Sequence, residues 1–434
     1  MTPERNGAGF EQRVADWIEV EAARERTLSS ASLMGTETVP LDQASGRALA
    51  EPIEATATLP PWDNSAMDGY ATRGADVRGA SSSTPKRLPV SGVVRAGDPV
   101  MDTMAPGSAV RIMTGAPVPT DADTIIRVED TDGEETPGFV AVRDDRDVGR
   151  HIRPAGQDLT KGMQLFPAGH SIGPGTIGVL AAAGRAEALV HRSPSVALLA
   201  TGDELRTPEQ YADVEAGRGV PESNGTMLAA ATRAIGAHPL PLGIAADRSE
   251  IIREKLDAAE SADVLVTIGG ASMGEADLVK RVLDDYGFEQ DFWRVRMRPG
   301  SPISFGWIPR DGRRQPVFGL PGNPSSAFVT FELFVRPFLL RMAGHTEVQR
   351  PIVPCTATER FSTPAALTYF QRVRLRPGPE GLTAGLTGPQ LSGLVRGLAS
   401  ADGLAVIPPD VDVVEAGDPV DVVWFGGVHG SPMG

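Results

Sequence analysis

The chain has 434 residues, 41% hydrophobic and 22% charged, with 56 acidic against 41 basic side chains and a net charge of −15. That length exceeds one comfortable core and predicts several domains, while the acidic excess argues against broad nucleic-acid or anionic-membrane surfaces, which need a basic footprint. A single cysteine, Cys355, excludes an internal disulfide and a thiolate zinc site, and the six histidines show no close metal-ligand spacing.

The first periodic segment, FEQRVADWIEVEAARER, carries Phe10, Val14, Trp17, Ile18 and Ala22 at helical spacing and predicts an amphipathic helix. The residues before it lack an apolar h-region, and no run of about 18 apolar residues follows anywhere, so a cytoplasmic protein is expected. WDNSAMDGYATR, Trp62 to Arg73, is too polar for a strand core, too irregular for a helix and too rich in hydrogen-bonding groups for a linker. Between Pro60 and Val148 the texture is short β-prone runs broken by Gly and Pro, such as GSAVRIMTGAPVP and DTIIRVEDTD, which predicts an all-β module. GMQLFPAGHSIGPGTIGVLAAAG then reads as a strand, a turn and a small-residue helix able to pack back on the first helix. The β-module becomes an insertion, 59–148, in a discontinuous helical domain, 8–58 plus 149–192.

From 193 to 345 strands and helices alternate. SVALLA, HPLPLGIAA, DVLVTIGG and VFGL are strand-like, separated by helical segments such as NGTMLAAATRAIGA and SEIIREKLDAAES. This pattern predicts a three-layer α/β domain with a mostly parallel sheet. DFWRVRMRPG and SPISFGWI add strands, and SSAFVTFELFVRPFLLRMA is expected to be one helix. From 346 to 428 the β texture returns as a second small β-domain. The string AGDPV at 96–100 and again at 416–420 reflects shared turn chemistry.

Ligands of open parallel sheets bind beyond the carboxyl ends of the strands. Three strands run into unusual loops: TGDE at Thr201–Glu204, GGASMGEAD at Gly269–Asp277, and PGNPSS at Pro321–Ser326. Gly269, Gly270, Ser272 and Gly274 allow close backbone approach, and the following helix N-terminus makes an anion cradle. The third loop repeats the logic, with Ser325 or Ser326 as cap or phosphate donor. Asp203, Glu204, Asp247, Glu275 and Asp277 gather acid on the same edge. Helix-dipole complementation accounts for Glu275, while acids beside a phosphate cradle suit Mg²⁺, which takes one or two carboxylates plus phosphate oxygens. In DFWRVRMRPG, period-two alternation places Arg294, Arg296 and Arg298 on one strand face, either for a dense anion or simply for solvent. Arg372 is a second, similar candidate. No nucleophile elbow or Walker lysine loop occurs, so covalent acyl transfer is not implied.

In order along the chain stand WDNSAMDGYATR, IMTGAPVP, IRPAGQD, TGDEL, GGASMGEAD and GLPGNPSS. With these motifs over nearly its whole length, the chain resembles the molybdopterin molybdenumtransferase (MoeA) family, which includes the gephyrin E-domain. The resemblance implies four domains, the last a β-barrel, in an elongated homodimer whose active site forms between the α/β domain of one subunit and the inserted β-domain of the other. It implies that adenylylated molybdopterin and molybdate are substrates, that Mg²⁺ supports the step and that AMP is released. It also implies a molybdopterin adenylyltransferase and cofactor-accepting proteins as partners.

Carried onto this sequence, the family's functional positions are Asp68 and Thr114 in the insert and Arg153 and Asp158 in the return segment. In the α/β domain they are Glu204, Asp247, Asp277, Pro321, Gly322, Asn323, Pro324 and Ser326, with Arg372 and Ser392 beyond. Asp68, Glu204 and Asp277 are the expected Mg²⁺ ligands. Thr114 either donates to substrate or closes the TGAP turn. The family usually has lysines where this chain has Arg294, Arg298 and Ser301. A planar guanidinium fork replaces a compact point charge at two of these, and it motivates the alternatives of a molybdopterin carrier or a tungstate-preferring homologue.

Overall fold

The computed structural model describes residues 17–269, 278–363 and 366–426. Its centre is the α/β unit. Strand β1 (Ser195–Thr201) leads to α1 (Asn224–Ala234), β2 (His238–Ala245), α2 (Ser249–Ala258), β3 (Val264–Ile268) and α3 (Leu278–Asp285). Then come β4 (Glu289–Trp293), β5 (Ser304–Arg310), β6 (Arg313–Leu320), α4 (Pro324–Thr330) and α5 (Arg336–Met342). The sheet order is β2-β1-β3-β6-β5-β4. β2, β1, β3 and β6 run parallel, and β5 and β4 continue the sheet antiparallel.

The burial of β1 and β3 explains why their sequences are nearly unbroken apolar runs: both faces are covered. Val196 and Leu198 join α1, α4 and α5 in one core, whereas the alternate residues Ala197 and Leu199 join Ile252, Leu256, Val279 and Val282 of α2 and α3 in the other. Period-two alternation therefore builds the three layers directly.

The segment expected to form one helix after β6 is helical from Pro324 through Met342, with a π turn at Phe331–Val335 in its middle. Pro337, in the first turn of α5, has no N–H to give the carbonyl four residues back, so the ladder widens there.

The N-terminal helix spans Val20–Ser29, with Trp17 and Ile18 in the extended stretch before it; Phe10 and Val14 lie outside the described residues. Val20 and Ala23 join the α/β core beside α5 and the π turn. The small-residue helix Pro174–Ala182 was expected to pack on that helix, but it packs instead on the turn Leu41–Gln43. Leu180 buries there with Val39, Leu49 and Ile53, whereas the N-terminal helix turns Val20 and Ala23 into the α/β core.

The inserted β-module holds a five-stranded sheet of Thr124–Arg127, Gly69–Thr72, Ala109–Ile112, Lys86–Val94 and Phe139–Val142, in that order. Gly69–Thr72 corrects the reading of WDNSAMDGYATR as unsuited to a strand core. All four residues are buried between two strands, and a Cβ on Gly69 would lie 2.0 Å from the Ile126 carbonyl oxygen. The C-terminal unit is a closed five-stranded barrel. Thr368–Gly378 pairs with Gly381–Leu386, then come Ile352–Ala357, Pro419–Trp424 and Gly403–Ile407, and the last pairs back with Thr368–Gly378.

Candidate active site

Because β2, β1, β3 and β6 are parallel, their carboxyl ends meet on one edge. The Gly269 N–H donates to the Leu320 carbonyl at 3.0 Å, and the Gly202 N–H to that of Ala245 at 3.2 Å. The Asp203 carboxylate accepts the Asp247 N–H at 2.9 Å, tying the loop after β1 to the loop after β2. These ties enclose a cleft of about 1040 Å³. Its walls include Gly202, Glu204, Asp247, Gly269, Gly322, Asn323 and Pro324 from the strand ends, with Glu222, Ser223 and Asn224 at the start of α1. Gly393 and Val395 of the barrel close one side.

Of the residues singled out from the sequence, Glu204, Asp247, Gly269, Gly322, Asn323 and Pro324 share this cleft. Gly270, Ser272, Gly274 and Asp277 lie outside the described residues. The lining is acidic. The Glu204 carboxylate folds over Gly202, within 2.5 Å of where a Cβ would stand, so the glycine gives that side chain its space. Among the described residues no three His, Cys, Asp or Glu side chains stand close enough to share a metal ion. Of the expected Mg²⁺ ligands, Glu204 lines the cleft and Asp68 does not, while Asp277 lies outside the described residues.

Asp68 and Thr114 meet on the exposed side of the insert. Asp68 Oδ1 accepts the Thr114 backbone N–H at 2.7 Å and its hydroxyl at 2.8 Å. The backbone bond first, then the hydroxyl bond, hold the carboxyl below its ordinary range. The Thr114 hydroxyl thus serves as the holder of Asp68. Arg153 and Asp158 are exposed at the base of the same module, where Arg153 pairs with Asn64 across a short two-stranded ladder. None of these four residues lines the cleft.

The three arginines do not share one strand face. β4 ends at Trp293, and Arg294 takes a left-handed backbone, φ 68°, which breaks the alternation. Its guanidinium lies 4.0 Å from the Trp293 ring centre and 5.4 Å from that of Trp17. Arg296 pairs with Glu19 at 2.6 Å. Arg298 reaches Tyr369, whose hydroxyl is pushed up by burial and partly restored by that cation.

Arg372 is 2% exposed. It donates to Ser325 Oγ and, at 2.8 Å, to the Pro389 carbonyl. Ser325 in turn gives its hydroxyl to the Leu394 carbonyl at 2.7 Å and its N–H to the Ser392 carbonyl at 3.0 Å. Of the two serines expected as cap or phosphate donor, Ser325 is thus engaged by a barrel loop, and Pro324 before it supplies no N–H. Asn323 Nδ2 meets Ser392 Oγ at 3.2 Å, Pro321 and Ser326 are buried, and Arg372 joins two domains.

Sequence reasoning missed Glu222, Ser223 and Asn224 as cleft residues. Their only local signal is a helix start: Glu222 Oε1 accepts the Gly225 N–H at 2.6 Å, an arrangement that reads as capping.

Three family models tile the chain. MoeA N-terminal region (domain I and II) matches residues 18–184, "Probable molybdopterin binding domain" matches 197–341, and MoeA C-terminal region (domain IV) matches 355–425. A Mycobacterium tuberculosis protein named molybdopterin molybdenumtransferase 2 is 39% identical over 89% of this chain and 94% of its own. The chain belongs to the MoeA family. A Staphylococcus aureus molybdopterin molybdenumtransferase is 34% identical over 94% of this chain and 95% of its own. Two crystal structures of MoeA proteins from Pyrococcus horikoshii align with TM-scores of 0.75 and 0.80, at 32% and 25% identity. They cover 95% and 94% of this chain and all of their own. The MoeA family is one of enzymes of molybdenum cofactor biosynthesis, and the α/β domain with its acidic cleft is the part matched by the molybdopterin-binding model.

Proposed function

We propose that the protein inserts molybdate into adenylylated molybdopterin and releases AMP in a Mg²⁺-dependent step. The observation that carries this reading is the cleft at the carboxyl edge of the parallel strands, lined by Glu204, Glu222 and Asp247 in the domain matched by the molybdopterin-binding model. AMP release breaks a phosphoanhydride bond, with oxygen from water or molybdate forming the new bond to phosphorus and negative charge building on the phosphoryl oxygens. Glu204 and Asp247 supply hard oxygen donors of the kind Mg²⁺ takes, and the ion would neutralise that charge. Gly269 lets backbone approach the ligand, and Asp203 fixes Asp247 by holding its N–H.

Asp68, held by Thr114, faces outward from the insert of its own chain. In a homodimer it would complete the cleft of a partner copy. Substrate would come from a molybdopterin adenylyltransferase, and product would pass to cofactor-accepting proteins, all in the cytoplasm. Among the described residues no helix is long and apolar enough to cross a membrane.

A second reading, molybdopterin binding without insertion, draws on one observation. Arg294 is stacked on two tryptophans and Arg372 is buried in a domain joint, so neither cation lines the cleft. The test supplies adenylylated molybdopterin, molybdate and Mg²⁺ to the purified protein. AMP release with cofactor that activates an apo-enzyme is expected, with tungstate run in parallel. Tight pterin binding without AMP release, while a relative works beside it, establishes the second reading.

A further inference from the structure

Asn224 opens α1 at the wall of the cleft and is 8% exposed. Its Nδ2 donates to the Gly322 carbonyl at 2.7 Å. That bond sets the orientation of the amide, because the reverse would bring two carbonyl oxygens together. The other end, Oδ1, is buried and has no hydrogen-bond partner among the described residues. A buried acceptor left unpaired in a ligand cleft marks the place where the ligand brings the missing donor.

The neighbouring chemistry narrows that donor. Glu222, two residues earlier in the same wall, is anchored by the Gly225 N–H on Oε1 and faces the cleft as a carboxylate. Glu222 and Asn224 Oδ1 both accept. Phosphate, molybdate and carbonyl groups are repelled here, and an N–H edge is drawn in. The proposed substrate has two such edges: the amino-pyrimidinone of the pterin and the adenine of the adenylate.

We propose that Asn224 Oδ1 is a specificity-determining acceptor that reads an exocyclic amine on the heterocycle of the bound substrate. This rests on the proposed function and assigns a residue within it. The Gly322 bond adds coupling, since the residue that reads the heterocycle is pinned to the loop entering α4.

Two ligand pairs, each differing in that amine, test the proposal on the full chain. Binding of pterin is compared with lumazine, which carries oxygen in place of the amine, and AMP with IMP. The wild type is expected to prefer the amine at least tenfold in one pair, and that pair names the source. Asn224→Ala removes the preference and leaves the oxo ligand within threefold of its wild-type affinity. If Asn224→Ala does not fold, Asn224→Ser carries the test, because serine is well tolerated at a helix start and withdraws the amide oxygen. A preference retained in the variant, or no preference in a wild type that binds the amine ligands, overturns this proposal alone. A wild type that binds neither pterin nor AMP overturns the proposed function and this assignment with it.

Discussion

Asp68 receives two hydrogen bonds from Thr114 through a single oxygen, Oδ1, one from the backbone and one from the hydroxyl. The depressed carboxyl keeps its charge to lower pH than an ordinary aspartate does. Thr114→Val removes the hydroxyl bond and keeps the backbone one, so the carboxyl moves partway up toward its ordinary value. The acid limb of the pH profile for AMP release should shift to higher pH with the plateau nearly intact. A plateau loss without a shift of the limb would give Thr114 a direct role on substrate.

Asp68→Asn should lower AMP release by roughly 10²–10³-fold if its charge stabilises the transition state, with a nearly unchanged melting temperature because asparagine keeps the Oδ1 acceptor for both Thr114 bonds. Asp63→Ala should show the opposite pattern. Asp63 Oδ1 accepts the Ala155 N–H at 2.8 Å and holds the return strand, so about 1 kcal/mol of stability is expected to go. Activity and denaturant unfolding on both variants separate the two roles.

Arg372 is a joint between domains, and its replacement by lysine should not be conservative. One planar fork meets Ser325 and the carbonyls of Pro389 and Leu391, and an ammonium cannot reproduce that geometry. Arg372→Lys should cost roughly 2–3 kcal/mol as buried acceptors lose partners and should loosen the barrel from α4. Protease sensitivity of the 388–395 loop checks this. Unchanged sensitivity with lost activity would place Arg372 on substrate instead.

The α/β unit was legible because its strands are buried on both faces and its helices on one, so hydrophobic period and run length carry the information locally. The shared edge of Thr201, Asp247, Gly269 and Pro321 followed from parallel topology alone. Other features depend on partners distant in sequence. Gly69–Thr72 is a central strand only because Ala109–Ile112 and Thr124–Arg127 flank it, and nothing in GYAT announces them. Arg372 reads as an anion-facing or solvent-facing base in an alternating strand, yet it lies in the interior, where groups from two other segments take its two terminal nitrogens and Nε has no partner among the described residues. Arg294 continues a period-two pattern to the eye, and only its φ of 68° shows that the strand has ended. Asn224 looks like the start of a helix because it is one, and its second use appears only when Gly322 takes one end of the amide and leaves the other.

Asp147 underlies the insert with 1% of its surface exposed. Burial is the largest influence on its carboxyl and raises it, but the bonds from Arg127 and His151 together outweigh burial and bring it from 3.8 to about 2. A depressed carboxyl stabilises the fold above its unfolded value and loses that contribution as pH falls toward the folded one. Asp147→Asn should therefore cost about 2 kcal/mol near neutral pH. The gap to wild type should narrow as pH drops from 3.8 toward about 2. Urea unfolding of the insert across that range measures it, and a gap independent of pH would assign the loss to packing.

Gly269 stands where β3 enters the cleft, with φ 96°. A Cβ there would lie 2.7 Å from the Thr201 carbonyl oxygen and 3.0 Å from its hydroxyl. The closer neighbour is backbone and is held in place where Thr201 pairs with Ala245 at the end of β1. Gly269→Ala should cost roughly 1–3 kcal/mol from backbone strain alone and push β1 and β3 apart at the edge that holds Glu204 and Asp247. Pterin affinity should fall with stability. Gly175→Ala is the matched control: it lies in the helix Pro174–Ala182 with open space around the added methyl. It should raise stability by about 0.5–1 kcal/mol and leave binding alone. Equal affinities in Gly269→Ala and wild type would show that the edge does not depend on this close approach.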